Sequence, residues 1–227
     1  MSSENSLSRY LEAQAKLRVK EKAGVPPARP FVTISRETGA GGLSVGHKVA
    51  DLMNDLPQSA PWTVFDKNIV EWVLKEHDLP ERLSKYMSES AVSSVEDFVG
   101  ELLGLHPATD QLIQKKNKTI VALAKMGNTV IVGRGGNYLT RGLEAGFHVR
   151  LVASQDVRVK RMQDLHKGSE RAAKELVRHT DDDRKEYVRE HFQEDIDDDL
   201  FYDCVINTTW LSYDEAAEMI VNRIRSL

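Results

Sequence analysis

The segment Ser35-Arg36-Glu37-Thr38-Gly39-Ala40-Gly41-Gly42 follows a β-branched run and precedes a helical pattern carried by Val45, Val49, Leu52 and Met53. Glycines at this spacing let backbone N–H groups close around an anion, and the helix start adds its dipole, so the chemistry in prospect is phosphate binding. A standard phosphate-binding loop ends in Gly-Lys-Ser/Thr. Here Gly42 and Leu43 stand where the lysine and the hydroxyl are expected. Phosphoryl transfer requires positive charge and oriented donors about the phosphates, usually with magnesium bridging them. Several arginines fall where they could supply that charge. Arg36 opens the loop, Arg134 follows an apolar run within Gly133-Arg134-Gly135-Gly136, and Arg178 and Arg184 flank Asp181-Asp182-Asp183. Arg36 is the residue expected to replace the missing lysine.

Other candidates carry alternatives. Arg158 and Arg161 could meet a ligand or make surface pairs three or four residues away on their own helix. Asp66, after a short apolar run, could order a substrate or cap the next helix. The run Asp195-Ile196-Asp197-Asp198-Asp199 lacks the spacing and glycine of a calcium loop and reads as a solvated acidic turn. The histidines show no zinc-ligand spacing, and no Gly-x-Ser-x-Gly elbow occurs.

The elements that position these residues are legible as alternating periods. Five β-branched runs, Phe31–Ser35, Trp62–Phe65, Thr129–Gly133, His148–Ala153 and Cys204–Asn207, are separated by helical segments. Continuous apolar strands alternating with helices predict an α/β fold with a parallel sheet covered on both faces. A ligand is then expected beyond the carboxyl ends of the strands, at the switch point. Ser212 with Glu215 predicts a capping box ahead of the last helix. Lys67 to Asn128 is too long for a simple crossover and reads as an inserted helical subdomain. The highly charged stretch from Asp156 to Asp199 reads as a polar helical hairpin, either over a phosphate site or simply solvated. Residues 1–29 read as a helical appendage, over residues 5–22, plus a proline-rich linker. That appendage is either a frayed tail or a helix that docks on a partner or a second copy.

Composition sets limits. A chain of 227 residues with 41% hydrophobic residues can bury the core of one α/β domain. The apolar runs are far shorter than the roughly 18 residues of a membrane span, and the N-terminus lacks a signal-peptide h-region. The net charge of -4 argues against a dedicated nucleic-acid surface. The lone Cys204 reads as a buried small hydrophobe, and a cytoplasmic, disulfide-free protein is expected.

Taken together, Ile34 to Gly42, Phe65-Asp66-Lys67, Gly127 to Gly136, Val149-Arg150-Leu151-Val152-Ala153 and Tyr202 to Thr208 carry a family resemblance. From Phe31 to the C-terminus the chain resembles the cytidylate-kinase-like branch of the P-loop nucleoside monophosphate kinases. The resemblance implies a five-stranded parallel sheet flanked by helices. It also implies a helical NMP-binding insertion at 67–128 and a helical lid at 156–199, within a domain spanning 30–227. Its implied activity is transfer of the ATP γ-phosphate, with Mg²⁺, to CMP, dCMP or a related acceptor, so that nucleotides are the expected ligands. On this basis Thr38, Gly39, Ala40, Gly41, Gly42, Leu43 and Ser44 would cradle the donor phosphates, with Arg158 nearby and Ser44 as the candidate metal-facing hydroxyl. Asp66 would lie near the acceptor nucleotide, Arg134 would contact phosphate, and Arg178 and Arg184 would close on the transferring group. Two departures stand out: the loop lysine is absent, and Gly135 occupies the place of an aspartate that follows the arginine of strand three. A non-catalytic nucleotide sensor on the same fold is the alternative.

Overall fold

β-Branched and aromatic runs form five strands: β1 (Phe31–Arg36), β2 (Thr63–Phe65), β3 (Thr129–Val132), β4 (Gly146–Val152) and β5 (Cys204–Asn207). The computed structural model describes residues 3–20, 29–56, 60–66, 111–133 and 135–227, with positions 83, 87, 92, 93, 95 and 99 between them. Arg134 and most of the 67–110 segment lie outside the described residues, as do 21–28 of the linker. The strands are all parallel in the order β2-β3-β1-β4-β5. β1 is central: the connection from β1 runs to β2 at one edge, and the connection from β3 crosses to β4 on the other side of β1, so a crevice opens at its carboxyl end.

The helices lying wholly within the described residues are α1 (Ser3–Lys20), α2 (Gly42–Asn54), α3 (Gln111–Met126), α4 (Gly136–Thr140), α5 (Gln155–His166), α6 (Glu170–Phe192) and α7 (Tyr213–Ile224). Alternation along the strands divides the core between two faces. Val32, Ile34, Val130, Val132, Val149 and Leu151 pack against α2 and α7, whereas Phe31, Phe65 and Ile131 pack with α1, α3, α4 and the end of α6. At the start of α7, Ser212 and Glu215 bond reciprocally, as the spacing predicts. The charged 156–199 stretch forms the hairpin α5–α6, and Asp197 of the acidic turn pairs with buried Arg150 and with Lys185. β5 is an edge strand with Val205 exposed, which leaves Cys204 half-buried rather than in the core.

α1 lies against the protein's own core. Leu7, Tyr10 and Leu11 are buried, the Tyr10 hydroxyl donates to Gly127 O at 2.6 Å, and its ring meets Phe65 edge-on at 5.5 Å. Among the described residues, no helix is long and apolar enough to cross a membrane.

The face of β1 and β4 that looks toward α4 carries a polar seam. Thr33 is in register with His148 and bonds its Nδ1 at 2.8 Å, and Ser35 is in register with Arg150. Burial holds the His148 imidazole below its ordinary pKa; the Asp203 charge opposes this and Arg141 reinforces it. The unfolded chain takes up that proton near pH 6.5 while the folded chain resists it. The contribution of His148 to stability is therefore full above about pH 6.5 and is lost as the pH falls below it. The melting temperature is expected to drop more steeply between about pH 7 and about pH 5.5 in the wild type than in His148→Gln. Parallel pH profiles for the two proteins would refute this.

Candidate functional site

The glycine loop between β1 and α2 is secured through its carbonyl groups. Thr38 O accepts from Arg158 Nη1 at 3.2 Å, Gly39 O from Arg161 Nη1 at 3.2 Å, and Ala40 O from Thr208 Oγ1 at 3.1 Å. A trans peptide aims its N–H opposite to its carbonyl. Three successive carbonyls drawn toward α5 and β5 thus turn the N–H groups of residues 39 to 41 the other way. The Ala40 N–H closes a turn on Glu37 O, and Val45 N makes the first helical bond of α2, to Gly41 O. Gly39 and Gly41, at φ 83° and 88°, supply the left-handed steps that curve the loop. The N–H groups of the first turn of α2 lack intrahelical acceptors and, with those of Gly39 and Gly41, make up a nest of backbone donors at the loop, while the Ala40 N–H is taken by Glu37 O.

Arg158 and Arg161 are therefore neither solvated surface pairs nor idle. Arg158 is buried and also bonds Ala153 O, Asp181 Oδ2 at 2.5 Å and Glu37 Oε2 at 3.3 Å. Arg161 additionally grips Thr208 through its hydroxyl and its carbonyl, and stacks over the Tyr213 ring. Their spacing of three residues on one helix face was the sequence signal; their acceptors, far away in the chain, were not visible in it.

Arg36 takes an informative position. A Cβ built on Gly42 would lie 2.8 Å from Arg36 Cγ and 3.1 Å from Cδ, and one built on Gly133 would lie 2.0 Å from Arg36 Nη1. The arginine stem thus runs through the space where a side chain at position 42 would begin, and its guanidinium reaches the end of β3. Lys48, on the next turn of α2, is turned away and pairs with Asp214.

From α6, Arg184 Nη1 reaches Thr38 Oγ1 at 2.7 Å, Arg36 O at 3.4 Å and Asp181 Oδ1 at 3.2 Å. Arg178 is exposed and pairs with Asp182 one turn on. Leu43 and Ser44 are exposed on the first turn of α2, and half-buried Asp66 ends β2, two strands from β1. The structure thus gathers Arg36, Thr38, Arg158 and Arg184, and leaves Arg178 at the rim.

A cavity of about 540 Å³ opens at the carboxyl ends of β1 and β3, with Ser35, Arg36, Asn137, Tyr138, Arg184 and Tyr187 in its wall. Beside it lies a smaller cavity of about 190 Å³, which shares Arg36 and Arg184 and adds Arg150, Arg158 and Lys185. The Asp197 carboxylate, bonded to Lys185, raises the pKa of that amine, which stays charged. Tyr138 and Tyr187 escaped the sequence reading because apolar periodicity cannot separate a lining aromatic from a core one, and Asn137 because no local pattern marks an amide that faces a cavity. Among the described residues, no group of three His, Cys, Asp or Glu side chains is placed to hold a metal.

Residues 31–210 match the model of a family described as cytidylate kinase-like. No curated protein matches the sequence significantly. Among solved structures, an uncharacterized protein from Eubacterium ventriosum is 20% identical, with a TM-score of 0.65 over 88% of this chain and 100% of its own. A shikimate kinase from Bacteroides thetaiotaomicron is 14% identical, with a TM-score of 0.46 over 87% of this chain and 99% of its own.

Proposed function

The chain belongs to the cytidylate kinase-like family, and from that premise we propose that it is a nucleotide kinase moving the ATP γ-phosphate to CMP, dCMP or a related acceptor. The observation that carries the proposal is the Arg36 side chain, laid over Gly42 with its guanidinium at the end of β3. A cation stands at the loop although the usual lysine is missing, and the N–H nest needs no lysine to form.

In this reading Thr38 to Ser44 hold the donor phosphates and Arg36 balances their charge. The backbone donors of the loop suit a polyphosphate chain, and Tyr213 and Arg36 pack where side chains at positions 41 and 42 would begin, so glycine is required there for the loop to keep its shape. Mg²⁺ keeps several waters and takes few protein oxygens beside the phosphates, so the Ser44 hydroxyl on the first turn of α2 suffices as a protein ligand. Bound there, the metal would neutralise charge developing on the phosphate oxygens. Arg134 is assigned to phosphate contact by its motif alone. Arg184 acts from the α6 side, with Arg178 at the rim, and Asp66 is assigned to the acceptor side. The 540 Å³ cavity, with its amide and tyrosines beside two arginines, suits a base and sugar carrying a phosphate.

One observation favours a second reading, a nucleotide-binding regulator without turnover. A Cβ on Gly135 would lie 2.2 Å from the Phe192 ring, so the aspartate that the wider family places there has no room. Incubation with ATP and Mg²⁺ across all nucleoside monophosphates separates the two. The kinase is expected to release ADP only with an acceptor, fastest with CMP or dCMP. A protein whose melting temperature rises with ATP but which forms no product with any acceptor is the regulator.

A further inference from the structure

The glycine loop already holds an anion, and the protein supplies it. Asp181, from the middle of α6, places Oδ1 2.7 Å from both the Thr38 N–H and the Thr38 hydroxyl oxygen, and 3.2 Å from Arg184 Nη1. Its Oδ2 accepts from Arg158 Nη1 at 2.5 Å. A backbone N–H, a hydroxyl and two guanidinium groups therefore converge on one carboxylate, largely sheltered from solvent at 17% side-chain exposure. Oxygens of a carboxylate and of a phosphate make the same demands on such donors, namely short charge-assisted bonds from N–H and guanidinium groups.

We infer that Thr38, Arg158 and Arg184 form an oxyanion subsite that Asp181 fills in the free protein, and that a phosphate group must expel this carboxylate to enter. The inference rests on the phosphate-binding reading of the loop and adds a built-in competitor to it. The two anions exclude each other for two reasons. The Thr38 N–H is a single donor already engaged at 2.7 Å. A phosphate left beside an ionised carboxylate in a partly desolvated cleft would also meet like-charge repulsion. Asp182 and Asp183, on the same turn, make no such contact: they pair with Arg178 and His179 on the exposed side of α6. The position of Asp181, not the acidity of the turn, sets the competition. Once expelled, the carboxylate leaves both arginines with the incoming phosphate, so the same groups that close α6 onto the loop in the free protein bind the ligand.

The experiment is calorimetric titration of inorganic phosphate, and separately of ATP, into wild type, Asp181→Asn, Asp181→Ser and Asp182→Asn at constant ionic strength. Asp181→Asn and Asp181→Ser are expected to bind phosphate about tenfold more tightly than wild type, with Asp182→Asn unchanged. The serine variant guards against a folding defect peculiar to the amide. Equal or weaker phosphate binding by folded Asp181 variants that still bind ATP overturns the inference and leaves the proposed function standing. An equal gain in Asp182→Asn overturns it too, since general charge would then explain the effect. Failure of every protein, wild type included, to bind either ligand overturns the phosphate reading itself and the inference with it.

Discussion

Arg36→Met is expected to lower kcat/KM for phosphate transfer by about 10²–10³-fold, the scale of losing one preorganised charge contact to the transition state. The melting temperature should stay within a few degrees of wild type, because methionine keeps an unbranched apolar stem over Gly42. The stem and the charge are separable here: Cγ and Cδ contact Gly42, and the guanidinium lies at Gly133. A sharper form of the test exchanges the two positions. Gly42→Lys alone should fail, since its Cβ would stand 2.8 Å from Arg36 Cγ. Arg36→Gly combined with Gly42→Lys removes the collision and returns the charge on the usual stem, so activity should recover beyond either single variant. Such coupling is the signature of two residues competing for one place. Full activity in Arg36→Met would show that the charge at the loop comes from elsewhere.

The largest loss of stability is expected from Tyr10→Ala, at about 3–5 kcal/mol, because an aromatic side chain with no solvent exposure leaves a cavity. Chemical denaturation reads it directly. Tyr10→Phe isolates the hydroxyl: it keeps the contact with Phe65 and leaves Gly127 O without its donor, for about 1–3 kcal/mol. Burial holds the phenol far above its ordinary pKa, so it remains a donor at any physiological pH. Neither variant should alter KM, since Gly127 precedes β3 whereas the cavity opens past its carboxyl end. A Tyr10→Ala protein as stable as wild type would show α1 to be an independent appendage.

The strands, their order of appearance and the capping box of α7 were readable because each depends on neighbours within a few residues. β-Branched runs select extended backbone, helical periods select faces, and Ser212 needs only Glu215 three positions on. The glycine loop was readable for the same reason. Its partners were not. The expectation that residues 1–29 are a tail or a docking helix rested on their polar, proline-broken sequence. That α1 buries Tyr10 beneath Gly127 depends on a contact 117 residues away. The alternatives left open for Arg158 and Arg161 were local, three or four residues along one helix. Their acceptors, Thr38 and Gly39, lie 120 and 122 residues away in the chain.

An alternating α/β chain, a glycine loop short of its lysine and arginines at the strand ends are thus written in local sequence. The course of Arg36 over Gly42 and the seat of Asp181 on Thr38 arise from packing. The physical reason is that a backbone pattern is written in short-range sterics and hydrogen bonds. Which charge meets which donor is settled when β1, α5 and α6 pack against one another, and nothing in the local sequence encodes that meeting.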